Sequence, residues 1–162
     1  MLTVVCETPG KLVAVDRTKP QREQGQVLLR VKRVGVCGTD LHIFTGNQPY
    51  LAYPRVMGHE LSGVVEEADA DSGLRAGDPV YVMPYLSCGH CIACRQGKTN
   101  CCVNIQVLGV HRDGAFTEYL SLSTSCPICR AVTVSLAGKA RPIAVSISRC
   151  SASIATAHSR SI

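Results

Sequence analysis

Four cysteines set the strongest limit on how this chain folds. Cys88, Cys91, Cys94 and Cys102 form C-x2-C-x2-C-x7-C within a stretch of little hydrophobic periodicity, residues 84 to 105. Two-residue spacings let successive thiolates converge on one ion, and four thiolates close a tetrahedral zinc shell of the structural kind. Backbone with so little core of its own draws much of its folding free energy from the metal. Iron–sulfur proteins also use close-spaced cysteines, but their commonest bacterial run has a different fourth spacing followed by proline. Four reduced core cysteines are the bland reading, and the spacing speaks against it. His90 and Cys101 are spare neighbours, because four ligands already fill the shell.

A second ligand-rich stretch runs from Gly35 to Glu60 and reads GVCGTDLHIFTGNQPYLAYPRVMGHE. Cys37, His42, His59 and Glu60 are of the types that bind borderline metals, and Thr39 and Asp40 could orient them. A working zinc site keeps three protein ligands and one open position. The separation of Cys37 from His59 suits two loops of one barrel better than a local finger.

The rest of the chain supplies short strands. Residues 2–6 and 11–16 are β-rich runs around Pro9-Gly10, a turn signal, and predict a hairpin. Residues 26–36 alternate in their middle and predict a partly buried strand that delivers Cys37 at its end. Residues 40–44 suit a helical turn. Residues 63–67 and 79–83 read as strands, and so do 107–110 and 115–122 around the turn Arg112-Asp113-Gly114, where His111 and Asp113 are turn residues. Many short strands with Gly/Pro punctuation and hardly any helix predict a mainly β fold, a barrel or sandwich.

Composition narrows the function classes. The chain has 162 residues, enough for one domain with its own core and short for two. No apolar run approaches the roughly 18 residues that span a bilayer, and the N-terminus does not read as a signal peptide. Ten cysteines without a secretion signal point to metal in a reducing, cytoplasmic compartment. The net charge of +5 is uneven: residues 1–122 hold twelve basic and twelve acidic side chains, while 123–162 hold five basic and none acidic. Those five charges are scattered, with no aromatic residue among them, which argues against a nucleic-acid partner. No Gly-x-Gly-x-x-Gly dinucleotide fingerprint occurs.

GVCGTDLH at 35–42, GHE at 58–60 with Gly63, the cysteine lobe at 88–102 and DGAFTEY at 113–119 resemble the zinc-containing medium-chain alcohol dehydrogenases. YPRVMGHE and GKTNCC look most like the polyol and sugar-acid branch. The resemblance covers roughly residues 1–122. It implies the GroES-like catalytic domain, a partly open β-barrel bearing an irregular cysteine-rich zinc lobe at 84–105. It also implies that Cys37 and His59 are ligands of a catalytic zinc, with Glu60 the acid beside them and an alternative ligand. It makes Thr39 the hydroxyl that takes the alcohol proton, His42 a relay to solvent, and Asp40 the partner that orients the zinc-bound imidazole. The implied reaction is oxidation of a small alcohol, polyol or sugar acid by NAD or NADP, with Zn2+ as Lewis acid.

The C-terminal part departs from that pattern. The polyol branch carries a Glu-Pro pair in the entry to its nucleotide-binding domain, yet no glutamate follows Glu118 and no aspartate follows Asp113. The third zinc ligand is expected to be missing or replaced; Cys126, Cys129 and Cys150 are available thiols without matching context. Residues 123–162 hold nine serines and no pattern that buries a face, so they are expected to form a disordered basic tail. A frameshift in the gene and an evolved tail are both open explanations, and the nucleotide-binding half is expected to be absent. Two functions follow. The first is the zinc-binding catalytic domain of such a dehydrogenase, inactive alone. The second is a non-enzymatic zinc module that associates with itself or another dehydrogenase chain through a bare barrel face.

Overall fold

The computed structural model describes residues 1–123 and, as backbone, the strands Ile128–Thr133 and Ala144–Ile147. The order is β1 (Leu2–Thr8), β2 (Lys11–Asp16), β3 (Gln26–Gly35), α1 (Gly38–Thr45), β4 (Arg55–Val56), β5 (Glu60–Glu67), β6 (Pro79–Val82), β7 (Tyr85–Leu86), α2 (Ile92–Arg95), β8 (Gln106–Val107), β9 (Tyr119–Ser123), β10 (Ile128–Thr133) and β11 (Ala144–Ile147). Single 3-10 turns lie at Ala70–Ser72 and Thr99–Cys101. The strands form a six-stranded sheet in the order β11-β10-β6-β5-β3-β9, a three-stranded sheet β2-β1-β4, and the pair β7-β8. Every pairing between the described strands is antiparallel. The mainly β expectation holds.

Residue pattern explains the main elements. Along β5, Leu61, Gly63 and Val65 are buried while their neighbours are less so, the period-two signature of a strand with one face inward. Val80 and Val82 repeat it on β6. On β3, Val27, Leu28 and Leu29 are all buried, which simple alternation does not predict. The pairing with β5 shifts register between Leu28 and Leu29 and again between Val31 and Arg33, and such bulges re-aim side chains. Val27, Leu29, Leu61, Val65, Val80, Val82, Leu108, Ala115 and Leu122 pack into the main core.

A smaller cluster of Cys6, Ile43, Met57 and Val110 joins β1, α1 and the chain just before His59. It fixes the ground on which the ligand-rich stretch stands. The predicted hairpin is present, with Leu2 opposite Asp16 and Thr8 opposite Lys11. The helical turn at 40–44 is part of a longer helix, Gly38–Thr45.

Two strand expectations need correction. Of the predicted 107–110 run only Val107 is strand, as the second residue of Gln106–Val107, and Gly109 turns the chain away with φ of 76°. The predicted 115–122 strand begins at Tyr119. Before it, the chain changes partner: Ala115 and Phe116 donate to Gly58 and Met57, then Val4 donates to Phe116 and Glu118 to Leu2. A segment that switches partners residue by residue forms no single ladder.

Within 123–162, β10 pairs with β6 (Ile128 opposite Val82) and with β11 (Arg130 opposite Ile147). These two strands differ from the expectation of a structureless tail. The remainder of the tail, with the thiols of Cys126, Cys129 and Cys150 and the question of its origin, lies outside the described residues.

Candidate metal centres

The sequence places Cys37 where β3 ends and α1 begins. Its backbone is extended (φ −116°, ψ −177°), as an N-cap requires, and its Sγ accepts from the Thr39 N–H at 3.3 Å. Asp40 closes the reciprocal half of a capping box by accepting from the Cys37 N–H at 3.0 Å. The other oxygen of Asp40 accepts from the Gly58 N–H at 3.2 Å. The carboxylate, 1% exposed, therefore ties the start of α1 to the residue before His59. A buried carboxylate needs such donors.

His59 then faces Cys37, with its Nε2 3.1 Å from the Cys37 Sγ. Its Nδ1 is buried, makes no hydrogen bond, and lies 3.8 Å from Asp40 Oδ1. Ligand atoms of Cys37, Asp40 and His59 all fall within 4.8 Å of one another. A thiolate and an imidazole on one tetrahedral zinc stand about 3.6 Å apart, given Zn–S and Zn–N bonds near 2.3 and 2.1 Å. The observed pair needs only a small opening to fit, and the unpartnered Nδ1 needs a small approach to Asp40 to be satisfied.

Glu60 lies outside this group. It is exposed, and its carboxylate sits over Gly35, the residue opposite it across the strands. Thr39 is half-buried. His42 is exposed, one helical turn beyond Thr39 on α1, a spacing that puts the two on one face.

The cysteine lobe brings Cys88, Cys91, Cys94 and Cys102 within 4.8 Å. Cys88 Sγ and Cys94 Sγ are 4.0 Å apart, close to the ~3.8 Å edge of a zinc–thiolate tetrahedron. Backbone amides support the sulfurs: Cys91 N–H points to Cys88 at 3.4 Å, Cys94 N–H to Cys91 at 3.5 Å, and Cys88 N–H to Cys102 at 3.3 Å. Amide donation from His90 and Cys91 brings Cys88 down to about 6. The Cys94 and Val103 amides lower Cys91. Burial, then the neighbouring Cys91 thiol, pushes Cys94 up to about 12. Cys88, Cys91 and Cys94 are thus shifted unequally, and a divalent cation among them would stabilise the Cys94 thiolate. The spare Cys101 is exposed. The His90 Nδ1 lies 2.8 Å from its own loop, at the Cys88 carbonyl.

A groove of about 910 Å³ runs between the lobe and β9, with Leu86, His90, Asn104, Arg112 and Ser123 in its walls. Cys37 and His59 do not line it.

What lies behind His59 leaves no periodic signal in the sequence. His111 does close a turn, its Nδ1 accepting from the Val107 N–H at 3.0 Å. Asp113 does more than turn the chain: it accepts from the Val56 N–H at 3.2 Å and pairs with Arg17 and Arg55. The signal available was the placement of Asp113 and Gly114 in the DGAFTEY motif, which composition alone leaves as a loop.

The chain is similar to known proteins. The model of the alcohol dehydrogenase GroES-like domain matches residues 23–130. L-galactonate-5-dehydrogenase of Escherichia coli (strain K12) is 46% identical over 123 residues, covering 75% of this chain and 36% of that protein. The starvation-sensing protein RspB of the same strain is 44% identical over 120 residues, 74% of this chain and 35% of that protein. Among solved structures, RspB from E. coli CFT073 in complex with NADH superposes with a TM-score of 0.71 at 38% identity, over 82% of this chain and 38% of that one. Galactitol-1-phosphate dehydrogenase from E. coli gives 0.73 at 31%, with the same coverage. The chain thus spans about a third of the length of the relatives it matches. It belongs to the zinc-type medium-chain alcohol dehydrogenases, whose GroES-like domain its barrel and cysteine lobe represent.

Proposed function

We propose that these residues are the zinc-binding half of an NAD(P)-dependent dehydrogenase acting on a small alcohol, polyol or sugar acid. The observation that carries the reading is the Cys37–His59 pair at 3.1 Å with Asp40 behind the ring. Cys37 Sγ and His59 Nε2 would hold the catalytic zinc, with exposed Glu60 next in sequence as an alternative ligand. Bound zinc would supply a Lewis acid that makes a substrate hydroxyl more acidic.

The chain's own residues would do the rest. Asp40, already committed to the Cys37 and Gly58 amides, has its remaining acceptor capacity near His59 Nδ1 and orients the ring rather than binding metal. Thr39 Oγ1 takes the alcohol proton. His42, exposed on the same face of α1, passes it to water. Cys88, Cys91, Cys94 and Cys102 hold a structural zinc that shapes the lobe.

Metal content tests the assignment. The purified chain should carry two zinc ions, and Cys37→Ser should carry one. One ion in the parent, unchanged by Cys37→Ser, would refute the catalytic site. No dinucleotide fingerprint occurs in these residues, so the 162 residues alone should not turn over a panel of polyols and sugar acids with NAD or NADP. Robust turnover would overturn that inactivity. The binding-module alternative is supported by Val36 and Leu41, exposed on either side of Cys37. It requires association with a full-length dehydrogenase, and light scattering that found only monomers would exclude it.

A further inference from the structure

Three glycines meet directly behind His59. Gly58, with φ of 92°, packs under Phe116, whose ring carbon Cε1 lies 2.8 Å from where a Gly58 Cβ would sit. A Cβ on Gly109 would lie 2.7 Å from the Gly58 carbonyl oxygen. A Cβ on Gly114 would overlap the carbonyl oxygens of both Met57 and Gly58, and would lie 2.7 Å from the Gly109 Cα. Real Cβ atoms essentially never approach backbone this closely, so a side chain at 114 must displace the Met57 and Gly58 peptides.

The same segment grips those peptides. Gly114 N–H donates to Val56 O at 2.7 Å, Ala115 N–H to Gly58 O at 2.9 Å, and Phe116 N–H to Met57 O at 3.0 Å. Asp113 adds the Val56 amide from the other direction and is itself held by Arg17 and Arg55. On the opposite side, Asp40 takes the Gly58 N–H. Residues 56–58 are thus fixed on both sides by bonds to their own peptide groups, and His59 follows immediately. A shift of a few tenths of an ångström there is passed to the imidazole, because no loose residue intervenes.

We infer that Gly114, assisted by Asp113, is a positioning residue for the metal centre: its missing side chain lets the 113–116 segment clamp residues 56–58 and so set His59 Nε2 against Cys37 Sγ. This rests on the proposed reading of Cys37 and His59 as metal ligands.

The experiment titrates Co2+ into the full chain whose cysteine lobe already carries one zinc, following the thiolate-to-cobalt absorption of the second site. The variants are Gly114→Ala, Asp113→Ala and, as a control of stability alone, Val80→Ala in the main core. The parent should bind a second metal, and Cys37→Ser should abolish the band. Gly114→Ala should weaken that binding about tenfold or more, the scale seen when support behind a ligand is lost. Asp113→Ala should weaken it by about tenfold. Val80→Ala should leave it unchanged although it melts earlier. If Gly114→Ala does not fold, Asp113→Ala decides alone. Unchanged affinity in the folded variants, or an equal loss in Val80→Ala, overturns the positioning role while leaving the site intact. A parent that binds no second metal removes the site and this role with it.

Discussion

The cysteine lobe and the Cys37–His59 centre gather their ligands over comparable sequence distances, 14 residues from Cys88 to Cys102 and 22 from Cys37 to His59. What holds them differs. In residues 84–105 the only buried residue is Cys102, so the lobe has almost no apolar interior. The Cys37–His59 centre stands on Cys6, Ile43, Met57 and Val110 and on a carboxylate that accepts two backbone amides. The first is organised toward an ion, the second by packing that exists before an ion arrives. Under the proposed reading, that is the division expected between a structural and a working site: one would contribute folding free energy through its metal, the other would present preformed ligands with a position to spare.

Removing metal should therefore separate the two regions, and this is the largest effect expected. Structural zinc is worth about 10–16 kcal/mol of apparent binding free energy in small zinc domains. Chelation, or Cys102→Ser, should open residues 84–105 to protease while the barrel keeps its far-ultraviolet signature and cooperative melt. Simultaneous unfolding of barrel and lobe would break the comparison and make them one cooperative unit.

The reverse experiment acts on the other centre. Asp40→Ala removes the acceptor for the half-buried Cys37 amide and the buried Gly58 amide and leaves both donors unpaired. It should cost about 1–3 kcal/mol per unsatisfied group in urea unfolding. Metal affinity at the second site should fall about 10- to 100-fold, with the lobe zinc retained. Asp40→Asn, which keeps an acceptor, should lose less stability. Equal metal affinity in all three proteins would mean that the imidazole is held by packing alone.

These contrasts explain what could be read beforehand. The lobe's ligands are close in sequence, so spacing alone exposed them. Strands such as β5 advertise themselves through Leu61, Gly63 and Val65. The register shifts in β3 and the clamp at 113–116 are matters of backbone against backbone, and side-chain periodicity carries no trace of them. Glu60 illustrates the same limit at the site. Its place beside His59 in sequence suggests proximity to the metal; in the structure Glu60 opens β5 with its carboxylate over Gly35, the residue paired with it on β3, while Asp40, from a helix, lies nearest the ring. Asp40 shows in the sequence as a residue that could cap a helix or orient a ligand, and the structure has it cap α1; its second bond, to the Gly58 amide, depends on the fold that brings residue 58 alongside.

Acid should sharpen the comparison with its smallest effect. Away from both centres, Asp69 pairs with Arg22 and accepts from the Gly25 N–H at 2.6 Å, tying the loop before β3 to the end of β5. The Gly25 amide chiefly, and Arg22 after it, hold this carboxyl below its ordinary value. A carboxylate with a depressed value in the folded state stabilises the fold above its unfolded value near 3.9, and that contribution is lost as pH falls through the folded value. The urea midpoint of the barrel should thus decline on acidification below about pH 4, and Asp69→Asn should flatten this part of the decline while lowering the plateau at neutral pH. The charge here is satisfied by fixed donors rather than by an ion, so adding zinc should move the lobe's acid sensitivity and leave the Asp69-dependent difference unchanged. A zinc-dependent difference would mean that the barrel senses the lobe, and the two regions would no longer be separable.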